Sequence, residues 1–137
     1  MENVVELNGV VAVLGGFPAL AGADLTVRRG EVLLLQGPNG AGKTSLLRVC
    51  AGLLPIERGA GRVLGMDITS ERERVRSRVG LLGHTNGLYL DLTVSQNIRF
   101  WASTVGATDE EVAGAMSRMR LDGRLANVKR SEEHTSE

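Results

Sequence analysis

LLLQGPNGAGKTSLL, residues 33–47, decides how the rest of the chain is read. Glu31–Leu35 is a continuous apolar run of the kind buried on both faces of a sheet. A glycine-rich loop follows, and from Lys43 the apolar spacing turns helical, ending near Ala51-Gly52, where glycine accepts the left-handed cap conformation. Gly37, Gly42, Lys43 and Thr44 satisfy G-x-x-x-x-G-K-[ST] between that strand and that helix. Gly37, Gly40 and Gly42 let the backbone turn tightly and aim N–H groups inward, and the helix adds the positive end of its dipole. Pro38, Asn39 and Ala41 complete the loop. Phosphate oxygens fit such a concavity: Lys43 would reach the β and γ phosphates, the Thr44 hydroxyl would hold Mg²⁺, and Ser45 is a secondary contact. A glycine-rich turn that happens to precede a helix would not need all four positions in this setting.

The remaining composition narrows the function. The chain has 137 residues, 42% of them hydrophobic, with 16 basic and 16 acidic side chains, which suits one domain with a modest core. The charge balance argues against a surface built to grip nucleic acid. Aromatics make up 3%, too few for stacking on single-stranded bases. No run approaches the roughly 20 apolar residues needed to cross a bilayer. MENVVELNGV also lacks the basic and long apolar regions of a signal peptide. Cytoplasmic location is the expectation. The single cysteine, Cys50, lies on the spacing Leu46, Cys50, Leu53 and reads as a small core residue.

Along the chain, VVEL, VVAV and LAGADLTV read as antiparallel strands with turns at Asn8-Gly9 and Gly15-Gly16. Gly61–Gly65 reads as a strand, SERERVRS as a short charged helix, and Arg78–Leu82 as a second buried strand. Thr93 with Gln96, and Thr108 with Glu111, have capping-box spacing at the start of two helices. Their stripes are Val94, Ile98, Trp101 and Val105 in one, and Val112, Met116 and Met119 in the other, and both are expected in the core.

GPNGAGKTSLLRVCAGLLP, GRVLGMDI and RVGLLGHTNGLYLDLTVSQNIRF, in that order, resemble the ATP-binding subunits of ABC transporters, up to about Val128. The resemblance implies an α/β P-loop NTPase fold of the ABC type: an antiparallel β subdomain plus an incomplete parallel-sheet core. It implies ATP and Mg²⁺ as cofactors. It also implies hydrolysis in an intact parent that pairs head to tail, peripheral on the inner face of the plasma membrane. Gly87–Val94 would face a transmembrane permease subunit or domain, and the apolar Leu88, Tyr89 and Leu90 either suit that contact or tuck back onto their own domain. Two positions depart from the family. Leu14 fills the usual tyrosine position, leaving nearby Phe17 as a candidate for stacking on adenine or for packing. His84 stands where the family places a glutamine that helps arrange Mg²⁺ and the attacking water. Histidine can donate, accept and ligate, and it titrates near neutral pH; the competing reading is a loop histidine bonded locally. A histidine after glycine is also similar to the haem-exporter ATPase branch of cytochrome c maturation.

The family's signature, Walker B strand and switch histidine are not found; they would begin just after Val128. Arg130–Glu137, RSEEHTSE, back-translates to AGATCGGAAGAGCACACGTCTGAA, which resembles a sequencing adapter. The expectation is therefore an N-terminal part of an ABC ATP-binding domain over 1–129 and a non-native tail over 130–137, with no role for His134. Such a chain is expected to be poorly soluble alone. Two rivals remain: an ABC-type DNA-repair or chromosome-maintenance ATPase, and a non-catalytic nucleotide-binding module. A long coiled coil or DNA-facing insertion would mark the first, yet His84 follows Lys43 without one.

Overall fold

A computed structural model describes residues 2–83 and 90–129. Contacts divide the chain into two units, Met1–Leu82 and Gly83–Glu137.

The first unit is built on two long strands, β1 (Asn3–Leu14) and β2 (Phe17–Arg28), joined by the expected turn at Gly15-Gly16. β3 (Arg58–Val63) and the short β4 (Met66–Asp67) complete an antiparallel sheet of order β2-β1-β3-β4. VVEL and VVAV are therefore one strand rather than two. Asn8-Gly9 is a bulge: pairing with β2 steps from Leu7↔Leu25 to Val10↔Ala23, so Asp24 faces an extra residue. Gly9 takes φ 59° there, and its N–H donates to the Asp24 carboxylate at 2.7 Å. That bond satisfies a donor the ladder cannot reach.

On the other side of β1, the ladder to β3 shifts between Asn8 and Val11. Gly59 crosses here so closely that a Cβ on it would lie 2.4 Å from the Gly9 oxygen. β3 and β4 turn at Leu64-Gly65, both at positive φ, which suits the right-handed twist of a tight hairpin.

Apolar alternation drives Leu7, Val10, Ala12, Leu20 and Val63 to one face of this sheet. They are joined there by Val49 of helix α1 (Lys43–Cys50) and Val75 of helix α2 (Arg72–Arg76). Each valine or leucine among them contributes about 1.5–3 kcal/mol when fully buried. Leu46 and Cys50 pack against this cluster as their spacing predicts, whereas Leu53 is exposed. Burial pushes the Cys50 thiol pKa up, so it stays protonated and behaves as a small apolar group.

The two buried strands expected at Glu31–Leu35 and Arg78–Leu82 are not strands here. Neither segment joins a ladder, and Val32 is 96% and Leu82 98% exposed. An apolar run becomes a central strand only when neighbours supply hydrogen bonds on both edges, and no described residue does so.

In the second unit, helices α3 (Val94–Thr104) and α4 (Asp109–Arg118) begin at the expected positions. Both capping boxes form. The Thr93 side chain accepts from Gln96 N–H while Gln96 accepts from Thr93 N–H, and Thr108 and Glu111 do the same. Val112 and Met116 are buried, but Met119, just past the helix end, is exposed. Trp101 and Val105 are not core: Trp101 is 45% exposed and meets Phe100 edge to face at 5.2 Å. A helix with one packed side buries a narrow stripe, and here that stripe centres on Asn97. Two features gave no sequence signal, a 3₁₀ turn over Gly123–Asn127 and an isolated bridge between Thr93 and Lys129.

The Glu111 carboxyl is held below the usual range, first by the Thr108 backbone N–H and then by its hydroxyl. A group whose pKa is depressed on folding stabilises above its unfolded value, and that support is lost as pH falls through the lowered folded value. Acidification through that window is expected to fray the first turn of α4 before the rest of the helix. Amide exchange at Asp109–Val112, measured against pH, checks this.

Candidate functional site

The glycine loop ends at Gly42, which caps α1 in the left-handed conformation, φ 94°. A side chain there would be excluded twice. Positive φ disfavours it, and a Cβ would lie 2.7 Å from the Ala19 carbonyl oxygen and 3.0 Å from Leu20 Cδ2. The pairing of β1 and β2 explains that approach. Val13↔Pro18 and Ala12↔Leu20 leave Ala19 as an extra residue in β2. A bulge frees the Ala19 carbonyl from the ladder and turns it toward the loop.

α1 starts without any side-chain cap and with no acidic residue in its first turn. Its first main-chain bond runs from Leu46 N–H to the Gly42 oxygen at 2.9 Å. The N–H groups of Lys43, Thr44 and Ser45 therefore have no helical acceptor. They open onto a concavity of ≈ 300 Å³ lined by Ala19, Asn39, Gly40, Gly42, Lys43, Thr44 and Ser45. Gly40 reaches it at φ 86°, and a Cβ on Gly37 would press on Ala41 Cβ at 3.3 Å. Ala41 N–H closes the loop on the Pro38 oxygen at 3.2 Å.

The Lys43 ammonium folds back over this loop, donating to the Gly37 carbonyl and, at 3.0 Å, to the Pro38 carbonyl. These contacts hold a positive charge at the mouth of a cup of N–H donors. An uncapped helix start, a lysine resting on loop carbonyls and a glycine at position 42 that leaves no room for a Cβ together suit a polyanion. Of the residues expected from Gly37 to Ser45, Asn39, Gly40, Gly42, Lys43, Thr44 and Ser45 line this concavity, and Gly37, Pro38 and Ala41 do not. Ala19 was missed, because a bulge carbonyl has no side-chain signature.

Phe17 lies at the start of β2 and is 77% exposed. Its ring is not packed into the core, and it does not line the concavity. His84, Gly87, Leu88, Tyr89 and His134 lie outside the described residues. From the remainder of the expected partner-facing segment, Leu90, Asp91 and Leu92 line an apolar concavity together with Phe100.

A family model described as ABC transporter matches residues 20–136. Among curated proteins, a probable multidrug ABC transporter ATP-binding protein, YbhF of Escherichia coli (strain K12), is 36% identical over 86% of this chain and 20% of its own length. The cytochrome c biogenesis ATP-binding export protein CcmA of Roseobacter denitrificans is 38% identical over 77% of this chain and 46% of its own. The chain thus spans less than half the length of either relative. Among solved structures, an ATP-binding subunit of an ABC transporter superposes with TM-score 0.71 at 26% identity, covering 90% of this chain and 53% of that one. A nucleotide-free ATP-binding cassette gives TM-score 0.71 at 25% identity, over 96% and 59%.

Proposed function

The chain belongs to the ABC transporter ATP-binding family, and from that premise we propose that its Gly37–Ser45 loop binds MgATP and that a longer parent hydrolyses it to drive transport through a membrane partner. The observation that carries this reading is the uncapped start of α1, with Lys43 held over it by loop carbonyls. Bound ATP would supply the phosphoanhydride whose cleavage drives transport. The chain's own part is to hold and orient it. The N–H groups of Lys43, Thr44 and Ser45 donate to phosphate oxygens at the positive end of the helix dipole. Lys43 exchanges two carbonyl contacts for stronger charge-assisted bonds to phosphate.

Thr44 is assigned to Mg²⁺. Among the described residues no group of three or more His, Cys, Asp or Glu side chains is placed to hold a metal. One hydroxyl is nevertheless a sufficient protein contribution, because Mg²⁺ takes its other ligands from phosphates and water. His84 is assigned to the position that helps arrange Mg²⁺ and the attacking water, and Phe17 to the adenine end, where an exposed ring is free to stack. The segment Gly87 to Val94, which includes Leu90 and Leu92, is assigned to the membrane partner. No described helix is long and apolar enough to cross a membrane. The DNA-repair rival gains no support, since the relatives reported above are transporter ATP-binding proteins.

Equilibrium dialysis of the chain against ATP tests the reading. Saturable binding that tightens on adding Mg²⁺ is expected. Thr44→Ala should abolish most of the Mg²⁺-dependent gain while leaving binding in EDTA nearly unchanged. Equal loss in both conditions would give Thr44 a structural role instead, and no saturable binding by the unmodified chain would end the proposal.

A further inference from the structure

A second concavity in the first unit, of ≈ 320 Å³, is lined by Arg29, Leu64, Met66, Arg74 and Arg78. It shares no residue with the Gly37–Ser45 cradle. We infer that Arg29, Arg74 and Arg78 form a second anion site, one that takes a phosphate group.

Three elements bring these guanidinium groups to one place. Arg29 follows β2, and its Nε donates to the Glu2 carboxylate at 3.0 Å while its main-chain N–H donates to the Glu2 oxygen at 2.9 Å. Arg74 lies in α2 and uses Nη1 to reach the Glu71 carboxylate. Arg78 follows α2, its N–H donating to the Val75 oxygen at 2.9 Å, and it forms no ion pair among the described residues.

Guanidinium carries five N–H donors in a rigid fork. Glu2 engages only Nε of Arg29, and Glu71 engages only Nη1 of Arg74, so each carboxylate steadies its arginine and leaves other donors available. Counting the two carboxylates against the three guanidinium groups leaves one positive charge, carried by Arg78. A tetrahedral phosphate presents an oxygen to each of three forks, whereas a planar carboxylate has only two oxygens to share.

Met66 is buried beside the arginines. Leu64 sits next to it in the left-handed region, φ 52°, where a non-glycine residue is uncommon. These two give the site an apolar wall, which would accept the carbon body of a phosphate ester. The shared chemistry admits two sources, a soluble phosphate ester or the headgroup of an acidic lipid. The arginines are exposed, so binding should be weak and weaken further with salt.

The test uses the Lys43→Ala chain, in which the cradle no longer competes for phosphate, so that its outcome stands apart from that of ATP binding. Inorganic phosphate is titrated at low salt and followed by calorimetry. Saturable binding is expected. Adding Arg78→Ala or Arg74→Ala should weaken it about three- to fivefold, while Arg48→Ala, outside the site, should leave it unchanged. Absent or non-saturable binding, or an equal loss with Arg48→Ala, would overturn the inference. Co-sedimentation with phosphatidylglycerol against phosphatidylcholine vesicles identifies the source. Arg78-dependent pelleting with phosphatidylglycerol alone supports a headgroup, and phosphate binding without pelleting supports a soluble ester. Phosphatidylglycerol pelleting that survives Arg78→Ala and Arg74→Ala contradicts the site.

Discussion

Replacing Lys43 by alanine is expected to weaken MgATP binding about 100-fold or more while leaving the melting temperature nearly unchanged. A hydrogen bond to a charged group is worth about 1.5–3 kcal/mol, about 1.4 kcal/mol is a tenfold change in affinity, and this ammonium is assigned to two phosphates. The fold loses little, because the contacts given up are to the Gly37 and Pro38 carbonyls in an exposed loop, where water replaces them. Both quantities are needed. Dialysis reads the affinity, and a thermal melt shows whether the loop has simply come apart. A large drop in melting temperature would mean that Lys43 holds the loop together rather than waiting for a ligand.

Gly59→Ala is expected to destabilise the first unit by about 3 kcal/mol or more, lowering its melting temperature by over about 10 °C. Two costs add. The residue has φ 88°, and its Cβ would meet the Gly9 oxygen at 2.4 Å and the Asn8 oxygen at 2.6 Å. Those are main-chain atoms of a bulge already fixed by the Asp24 carboxylate, so they cannot swing aside as a side-chain tip would. Gly65→Ala separates the two costs. Its φ is 76° but nothing lies within 4 Å, so only the backbone term applies, about 1–2 kcal/mol. Equal destabilisation by the two changes would show that the bulge does not resist β3.

The candidate loop was legible because it is written in residue types at fixed spacing: glycines at positive φ at 40 and 42, a lysine, and a hydroxyl in the first turn of a helix. The capping boxes were legible for the same reason, since Thr93–Gln96 and Thr108–Glu111 each close locally. What failed depended on distant partners. Val32 and Leu34 have the composition of a buried strand, but burial needs neighbouring strands, and they are exposed. Trp101 has helical spacing, but which side of α3 is covered depends on what packs there. Asn8-Gly9 has the composition of a turn, and only the registers of β2 and β3 make it a bulge. The same bulge chemistry at Ala19 supplies the carbonyl that fits Gly42, and no side-chain pattern announces it.

The most direct test of the central claim is an amide chemical-shift map of the isotopically labelled chain, recorded with and without MgATP. If the Gly37–Ser45 loop is a phosphate cradle, the largest shifts will fall on the N–H groups of Gly40, Gly42, Lys43, Thr44 and Ser45, and inorganic pyrophosphate will reproduce most of them. Shifts that leave these amides untouched, or that centre on another part of the chain, would contradict the account.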